Sequence, residues 1–191
     1  MIAYKKIQDI ALVLSGVYFN EIPMGEVNYL QIKDFNKKGE IVAPLVASLE
    51  LNTRTEKHLL SEGNLLFAAK GLFNFCALYN KDMGKSVASS SFLALKIKDT
   101  NEILPEYLCW LLNREDTLSN LQNQAVGSAM PSISKFLMEE YEVPVPSIDV
   151  QRKIIAIAGL QKQEQALYKR IAESHKRMID KQLIEITKTT K

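Results

Sequence analysis

The usual ligands for a structural metal are nearly missing from this chain, which has two cysteines and two histidines among 191 residues. Cys76 and Cys109 are isolated, with no further cysteine or histidine at ligand spacing beside either. Zinc and disulfides are therefore set aside, and both cysteines are expected in the core. Catalytic patterns are missing as well. None of the 22 Asp and Glu residues is followed two positions later by Lys, the pattern that lets common metal-dependent nucleases hold a cation beside a basic residue. A glycine-rich loop after a strand and an Asn/Asp-Pro-Pro-aromatic tetrapeptide, which a methyltransferase would need for its cofactor and its flipped base, are both absent. His58 and His175, the latter near the C-terminus, leave little choice of base for a serine or cysteine nucleophile. The chain is expected not to be an enzyme and to carry no cofactor or metal.

Long hydrophobic runs are also lacking. No stretch of about 18 apolar residues is available for a membrane span, and the start, Met1-Ile2-Ala3-Tyr4-Lys5-Lys6, has no signal-peptide pattern. A soluble cytoplasmic protein with no membrane partner is expected. The length permits one domain of about 150 residues with its own core.

What the chain does have is a long helical pattern at its end. Pro144 and Pro146 exclude helix before residue 147, because each fixes φ and pushes the residue before it towards extended geometry. From Ile148 to Thr187 no proline intervenes, and Asp149 is the expected N-cap. Gly159 is the one weak point. Ile154, Ile157, Leu160, Leu167, Ile171, Met178, Ile179, Leu183 and Ile186 recur at steps of three and four and form one apolar stripe. Gln161, Gln163, Glu164 and Gln165 dilute its middle, so the seam is imperfect as a coiled coil. At the α-helical rise such a helix reaches about 60 Å, beyond any core this chain could build. A second copy is expected to cover the stripe, the alternative being a frayed, solvated tail. The division expected is 1–147 as the globular domain and 148–191 as the helix.

Charge is segregated along the chain. Residues 151–191 hold 10 Lys/Arg against 4 Asp/Glu (+6), while 1–150 hold 14 against 18 (−4). Within the globular part, 33–98 hold 10 against 6 (+4) and 99–150 hold 2 against 9 (−7). A polyanion should meet the middle segment and the acidic one should face elsewhere; two ordinary solvated faces would give the same totals.

Read in order, Tyr4 to Ser15 predicts a short helix and then a strand ending at Gly16. Val27–Ile32 alternates as a half-buried strand, and Asp34–Glu40 is a basic turn. A turn over Leu59–Asn64 leads into a strand over Leu65–Ala69, broken at Gly71. A strand over Phe73–Tyr79, a turn around Gly84, and a strand over Phe92–Ile97 preceded by Ser89-Ser90-Ser91 follow. Pro105 opens a helix with Tyr107, Leu108, Trp110, Leu111 and Leu112 on its buried face. Ser134 is placed to cap a short helix running through Glu140. Strands dominate before Pro105 and helices after it, an α+β arrangement of mixed strands with one long C-terminal helix.

The stretch Gly127-Ser128-Ala129-Met130-Pro131-Ser132-Ile133-Ser134, the short helix, Val143-Pro144-Val145-Pro146, and then Gln151 and Ile154 resemble the end of a target recognition domain and the start of the spacer helix in specificity subunits of type I restriction-modification enzymes. Ile7-Gln8-Asp9-Ile10 leading to Ser15-Gly16, Tyr29-Leu30-Gln31-Ile32-Lys33-Asp34, Leu60-Ser61-Glu62-Gly63-Asn64-Leu65-Leu66 and Leu104-Pro105-Glu106-Tyr107-Leu108 match the same domain in the same order. Departures are Asn64 where the family usually has Asp, Val150 where an acid usually precedes the Gln, and length: the usual member has two recognition domains and two spacer helices. The chain resembles a half-subunit.

The resemblance implies a non-catalytic subunit that reads double-stranded DNA. It would direct modification methyltransferase and restriction subunits to a bipartite target, with S-adenosylmethionine, ATP and magnesium brought by those partners. It also implies that two copies pair through the helix. Residues of the right chemistry for phosphates and base edges are Lys33, Asn36, Lys37, Lys38, Arg54, Lys57, Lys70, Asn74, Lys81, Lys85, Ser89 and Ser90. For any one of them an ordinary surface role competes, and Ser128 and Ser132 are expected to be structural. The alternative function is a protein-protein adaptor that dimerises by a coiled coil and has no DNA role.

Overall fold

Residues 3–125 and 132–189 are described by a computed structural model. Strand β1 (Ala3–Lys6) leads into one turn of helix, α1 (Ile7–Ile10), and then β2 (Ala11–Ser15). The helix-then-strand expectation holds from Ile7 onwards, where Ile7, Ile10, Ala11 and Val13 are all buried. β3 (Val27–Leu30) stops two residues earlier than expected, because Ile32–Asp34 turns into a 3-10 segment. β4 (Ala47–Leu49) and the single turn α2 (Thr53–Glu56) follow. Next come β5 (Leu65–Ala68), buried throughout, β6 (Cys76–Leu78), β7 (Ser86–Ala88) and β8 (Phe92–Ile97). The helical part comprises α3 (Pro105–Leu112), α4 (Glu115–Gln124) and α5 (Lys135–Glu140). A last strand, β9 (Glu142–Val145), precedes α6 (Ile148–Thr189).

The strands form three sheets. β2-β8-β5-β6 is antiparallel throughout, with Ala11 opposite Ile97 and Leu65 opposite both Leu78 and Leu95. β4-β3-β7 is mixed, β3 running parallel to β7 with Tyr29 opposite Val87. β1 and β9 form a two-stranded ribbon with Ala3 opposite Val145. The Lys6 ammonium meets Glu140 at 2.7 Å, and that hydrogen bond holds the Glu140 carboxyl below its ordinary range. Lys5 pairs with Glu102.

The core is built around rings and β5. Phe35 lies 5.5 Å from Phe75 and 5.6 Å from Phe92, centroid to centroid, with Leu30, Leu66 and Ala68 buried beside them. A second cluster of Phe19, Val27, Tyr29, Leu49 and Val87 fills the mixed sheet. Cys76 is buried, which pushes its thiol up, and Cys109 reaches its carbonyl oxygen at 3.5 Å. Ser134 caps α5 as expected, its hydroxyl accepting from Leu137 N–H at 3.1 Å. The part of the loop at 126–131, with Ser128, lies outside the described residues.

One expectation about the long helix is corrected. Asp149 is not its N-cap: the helix already begins at Ile148, and the Gln151 N–H reaches the Ser147 carbonyl at 3.0 Å. Asp149 sits inside the first turn, 3.5 Å from Arg152, where its charge still complements the dipole. The chain divides into two compact units, Met1–Arg152 and Lys153–Lys191. The first turn of α6 belongs with the globular unit because the Gln151 side chain is buried in it.

Candidate nucleic-acid interface

Three stretches meet around an open cleft of 500 Å³: Tyr18–Glu21 after β2, Tyr29–Lys33 at the end of β3, and the turn Ser89–Ser91 between β7 and β8. Gly16 makes the arrangement possible. Its N–H binds the Phe92 carbonyl at 2.9 Å, and a Cβ there would lie 2.0 Å from the Ser89 carbonyl oxygen. Gly16→Ala must move the cleft wall, and overpacking against backbone should cost about 1–3 kcal/mol of folding free energy. A denaturation midpoint equal to that of the native protein would show that the approach is not tight.

Beyond Gly16 the chain is pinned by Tyr29, whose hydroxyl donates to the Val17 carbonyl at 2.9 Å and accepts from Phe19 N–H at 3.2 Å. Burial raises this phenol above its ordinary value. The Phe19 ring carries the Arg54 guanidinium 4.7 Å from its centroid, and Arg54 also donates to the Tyr18 carbonyl at 3.2 Å. Arg54 is placed there by Asn52, the N-cap of α2, whose side-chain oxygen accepts from the N–H groups of Arg54 and Thr55 at 3.0 and 3.1 Å.

On the other side of the cleft the Ser91 carbonyl accepts from the N–H groups of Ala69 and Lys70, which ties the loop after β5 to the cleft wall. That loop ends at Phe73, whose ring has the Lys37 ammonium 5.7 Å from its centroid. Lys37 and Lys38 sit on a turn held by Asn36, whose side-chain oxygen accepts from Lys38 N–H at 2.8 Å and Glu40 N–H at 3.1 Å. Gly39 closes it at φ +73°, with no room for a Cβ, which would lie 2.6 Å from the Cys76 carbonyl oxygen. Arg54, Lys33, Lys70, Lys37 and Lys38 are all exposed on this connected set of loops. Exposed Tyr18 and Leu72 (68% and 88%) stand among them.

The remaining candidate residues fall elsewhere or inward. Lys57 borders a smaller pocket with His58 and Asn64. Lys81 and Lys85 flank Gly84, and Lys81 is paired with Glu62 at 2.7 Å, which raises its pKa. Ser90 is exposed in the cleft, but Ser89 is buried at 6%. Asn74 is buried too, donating to the Ala68 carbonyl at 2.7 Å and accepting from Gln122 at 2.9 Å. Asn36 is half-buried and its amide is spent on its own turn. Tyr18, Asn20, Glu21 and Gln31 line the cleft but were not singled out by the sequence. The polar run Tyr18-Phe19-Asn20-Glu21 directly after Gly16 was the available signal.

In the second unit, α6 presents the predicted stripe to solvent. Ile157, Leu160, Leu167, Ile171 and Ile186 are 55–66% exposed, and Met178, Ile179 and Leu183 are 46–56% exposed. Leu167, Ile171 and Met178 line a shallow apolar groove with Arg170, Ser174 and His175. Among the described residues no helix is long and apolar enough to cross a membrane, and no group of His, Cys, Asp and Glu is placed to hold a metal.

Comparison with curated proteins gives no match. Solved structures do match. The HsdS subunit from Thermoanaerobacter tengcongensis superposes with a TM-score of 0.66 at 20% identity, over 92% of this chain and 46% of that one. A chain from a structure on complex assembly and conformational transition of the type I R-M system gives 0.69 at 16% identity over 92% and 46%. The type I restriction-modification S subunit from M. genitalium gives 0.59 at 15% over 85% and 39%. The chain thus has the fold of these subunits and spans less than half of their length. The family model for the type I restriction modification DNA specificity domain matches residues 3–172, so the chain belongs to that family.

Proposed function

We propose that this chain is a non-catalytic DNA sequence-recognition subunit of a type I restriction-modification system. The observation that carries this reading, beyond membership of the family, is the connected set of loops around the cleft. Arg54, Lys33, Lys70, Lys37 and Lys38 project there beside exposed Tyr18 and Leu72. Exposed cations on rigidly held loops are what phosphate contacts require, and a cleft with amide, hydroxyl and carboxylate groups between them suits base edges. Residues 1–147 read DNA, and the helix from 148 onwards pairs with a second copy through Ile154, Ile157, Leu160, Leu167, Ile171, Met178, Ile179, Leu183 and Ile186. The assembly directs methyltransferase and endonuclease subunits, which bring their own cofactors, to a bipartite target in the cytoplasm.

Salt separates this reading from a protein adaptor. Each phosphate neutralised releases counterions, so affinity for duplex DNA must fall steeply and linearly in log–log form as salt rises. Lys37→Ala with Lys38→Ala, both on an exposed turn whose shape is set by Asn36 and Gly39, should leave folding unchanged and reduce that slope by up to about two units. An unchanged slope with the assembly intact would remove this turn from the interface. Affinity for DNA that is absent or independent of salt would favour the adaptor.

A further inference from the structure

Gln31 stands in the cleft under two constraints that have no role in a solvated side chain. Its backbone N–H donates to the Asp34 carboxylate at 2.8 Å, which fixes the chain at the entry to the 3-10 turn. Its side-chain Nε2 donates to Glu21 Oε1 at 2.5 Å, and the other oxygen of the same carboxylate accepts from Ser48 Oγ at 3.0 Å. An ionised carboxylate only accepts, so the nitrogen end of the Gln31 amide must face Glu21. A free glutamine can turn its amide over and present donor or acceptor at either end. Gln31 cannot do so without losing a charge-assisted bond. Its carbonyl oxygen and second amide hydrogen are thereby held in one order, beside the exposed cations Lys33 and Lys70 that can seat a phosphate backbone.

We propose that Gln31 is a base-reading residue, that it selects adenine, and that Glu21 and Ser48 position it. Adenine is the base whose major-groove edge offers one donor and one acceptor side by side, N6–H and N7, the partners for a glutamine carbonyl and amide hydrogen. A purine with two acceptors on that edge, guanine, matches only half of the pair. The inference rests on the DNA reading above and adds to it a residue and a base.

The test uses the full chain with its modification partner and a duplex library randomised over the target length, reading the sequences retained at fixed salt. The native protein should require adenine at one position of each half-site. Glu21→Ala, at an exposed position, should leave total DNA retention within about threefold while discrimination at that one position falls about tenfold or more. Gln31→Glu, which keeps the shape but offers only acceptors, should shift preference there towards cytosine, whose N4 donates. Lys37→Ala with Lys38→Ala should lower retention without changing the preferred bases. An unchanged preference in both the Glu21 and Gln31 variants overturns the assignment, as does a native target without adenine. Absence of any retained sequence with the native protein overturns the DNA reading itself.

Discussion

Replacing Ile171 and Met178 together with lysine should leave the protein monomeric at concentrations where the native chain, with its modification partner present, is a pair. Both side chains are half or more exposed in the single chain, at 61% and 50%, and both line the same groove of α6. A soluble protein seldom leaves such a stripe uncovered over the length of a helix. In a two-fold pair each substitution counts twice, so four large apolar contacts are lost, each contributing about 1.5–3 kcal/mol on full burial. Four ammonium groups would then have to enter one seam, where desolvation and like charge add to the cost. Since about 1.4 kcal/mol is tenfold in affinity, pairing should weaken by more than a hundredfold. Light scattering on both forms measures it. A double variant that still pairs would place the interface elsewhere.

The second large effect is expected at Gln151. Its side chain is fully buried, accepting from Leu104 N–H at 2.9 Å and donating to the Glu102 and Pro146 carbonyls at 2.9 and 2.8 Å. One amide thus satisfies three backbone groups from two segments about fifty residues apart in sequence, next to the proline before α3 and the proline before α6. Gln151→Leu keeps most of the volume and removes every one of those partners. Each buried group left unsatisfied costs about 1–3 kcal/mol, and with partial relief by water a total of about 3 kcal/mol is expected. In a domain of this size that is a large fraction of the stability. Urea unfolding of native and variant protein under the same conditions reads the difference. A shift below about 0.5 kcal/mol, the range of an ordinary surface substitution, would mean that the three bonds are replaced without loss.

The sequence made these two features visible to different degrees, and for different reasons. The stripe on α6 was legible because helical periodicity is local and two prolines mark where the helix can begin. β8 was found at its observed bounds, since alternation over Phe92–Ile97 and the serine turn before it are also local signals. β1 was missed because Tyr4, Lys5 and Lys6 show no apolar run. Its order comes from pairing with Glu142–Val145 at the far end of the domain. β4, α2 and α4 are short or polar, and each is held by contacts that composition does not reveal, such as the Asn52 cap of α2. The expected strand over Phe73–Tyr79 is formed only at Cys76–Leu78, with the Asn74 side chain taking the Ala68 carbonyl.

The same division runs through the candidate site. Lysine and arginine were correctly expected at the surface because their charge forbids burial without a partner. Asn74 and Ser89 looked equally polar but are buried, and only tertiary placement separates them from exposed Ser90. The cleft itself could not be read, since Tyr18, Gln31 and Ser90 lie on three separate stretches joined by Gly16 passing beneath Ser89.

The most direct measurement is selection of DNA from a random duplex library by the protein together with its modification partner, followed by sequencing of what is retained. If one recognition domain and one pairing helix per chain make the reading assembly, closed two-fold symmetry requires identical recognition surfaces facing opposite ways. The retained sequences should contain two inverted copies of one short motif, separated by a gap of fixed length and free composition. Insertion of four residues near Gln163 should add about 6 Å to each helix and lengthen that gap while leaving both motifs unchanged. A single uninterrupted motif, two unrelated half-sites, or a gap that ignores the insertion would contradict the paired half-subunit.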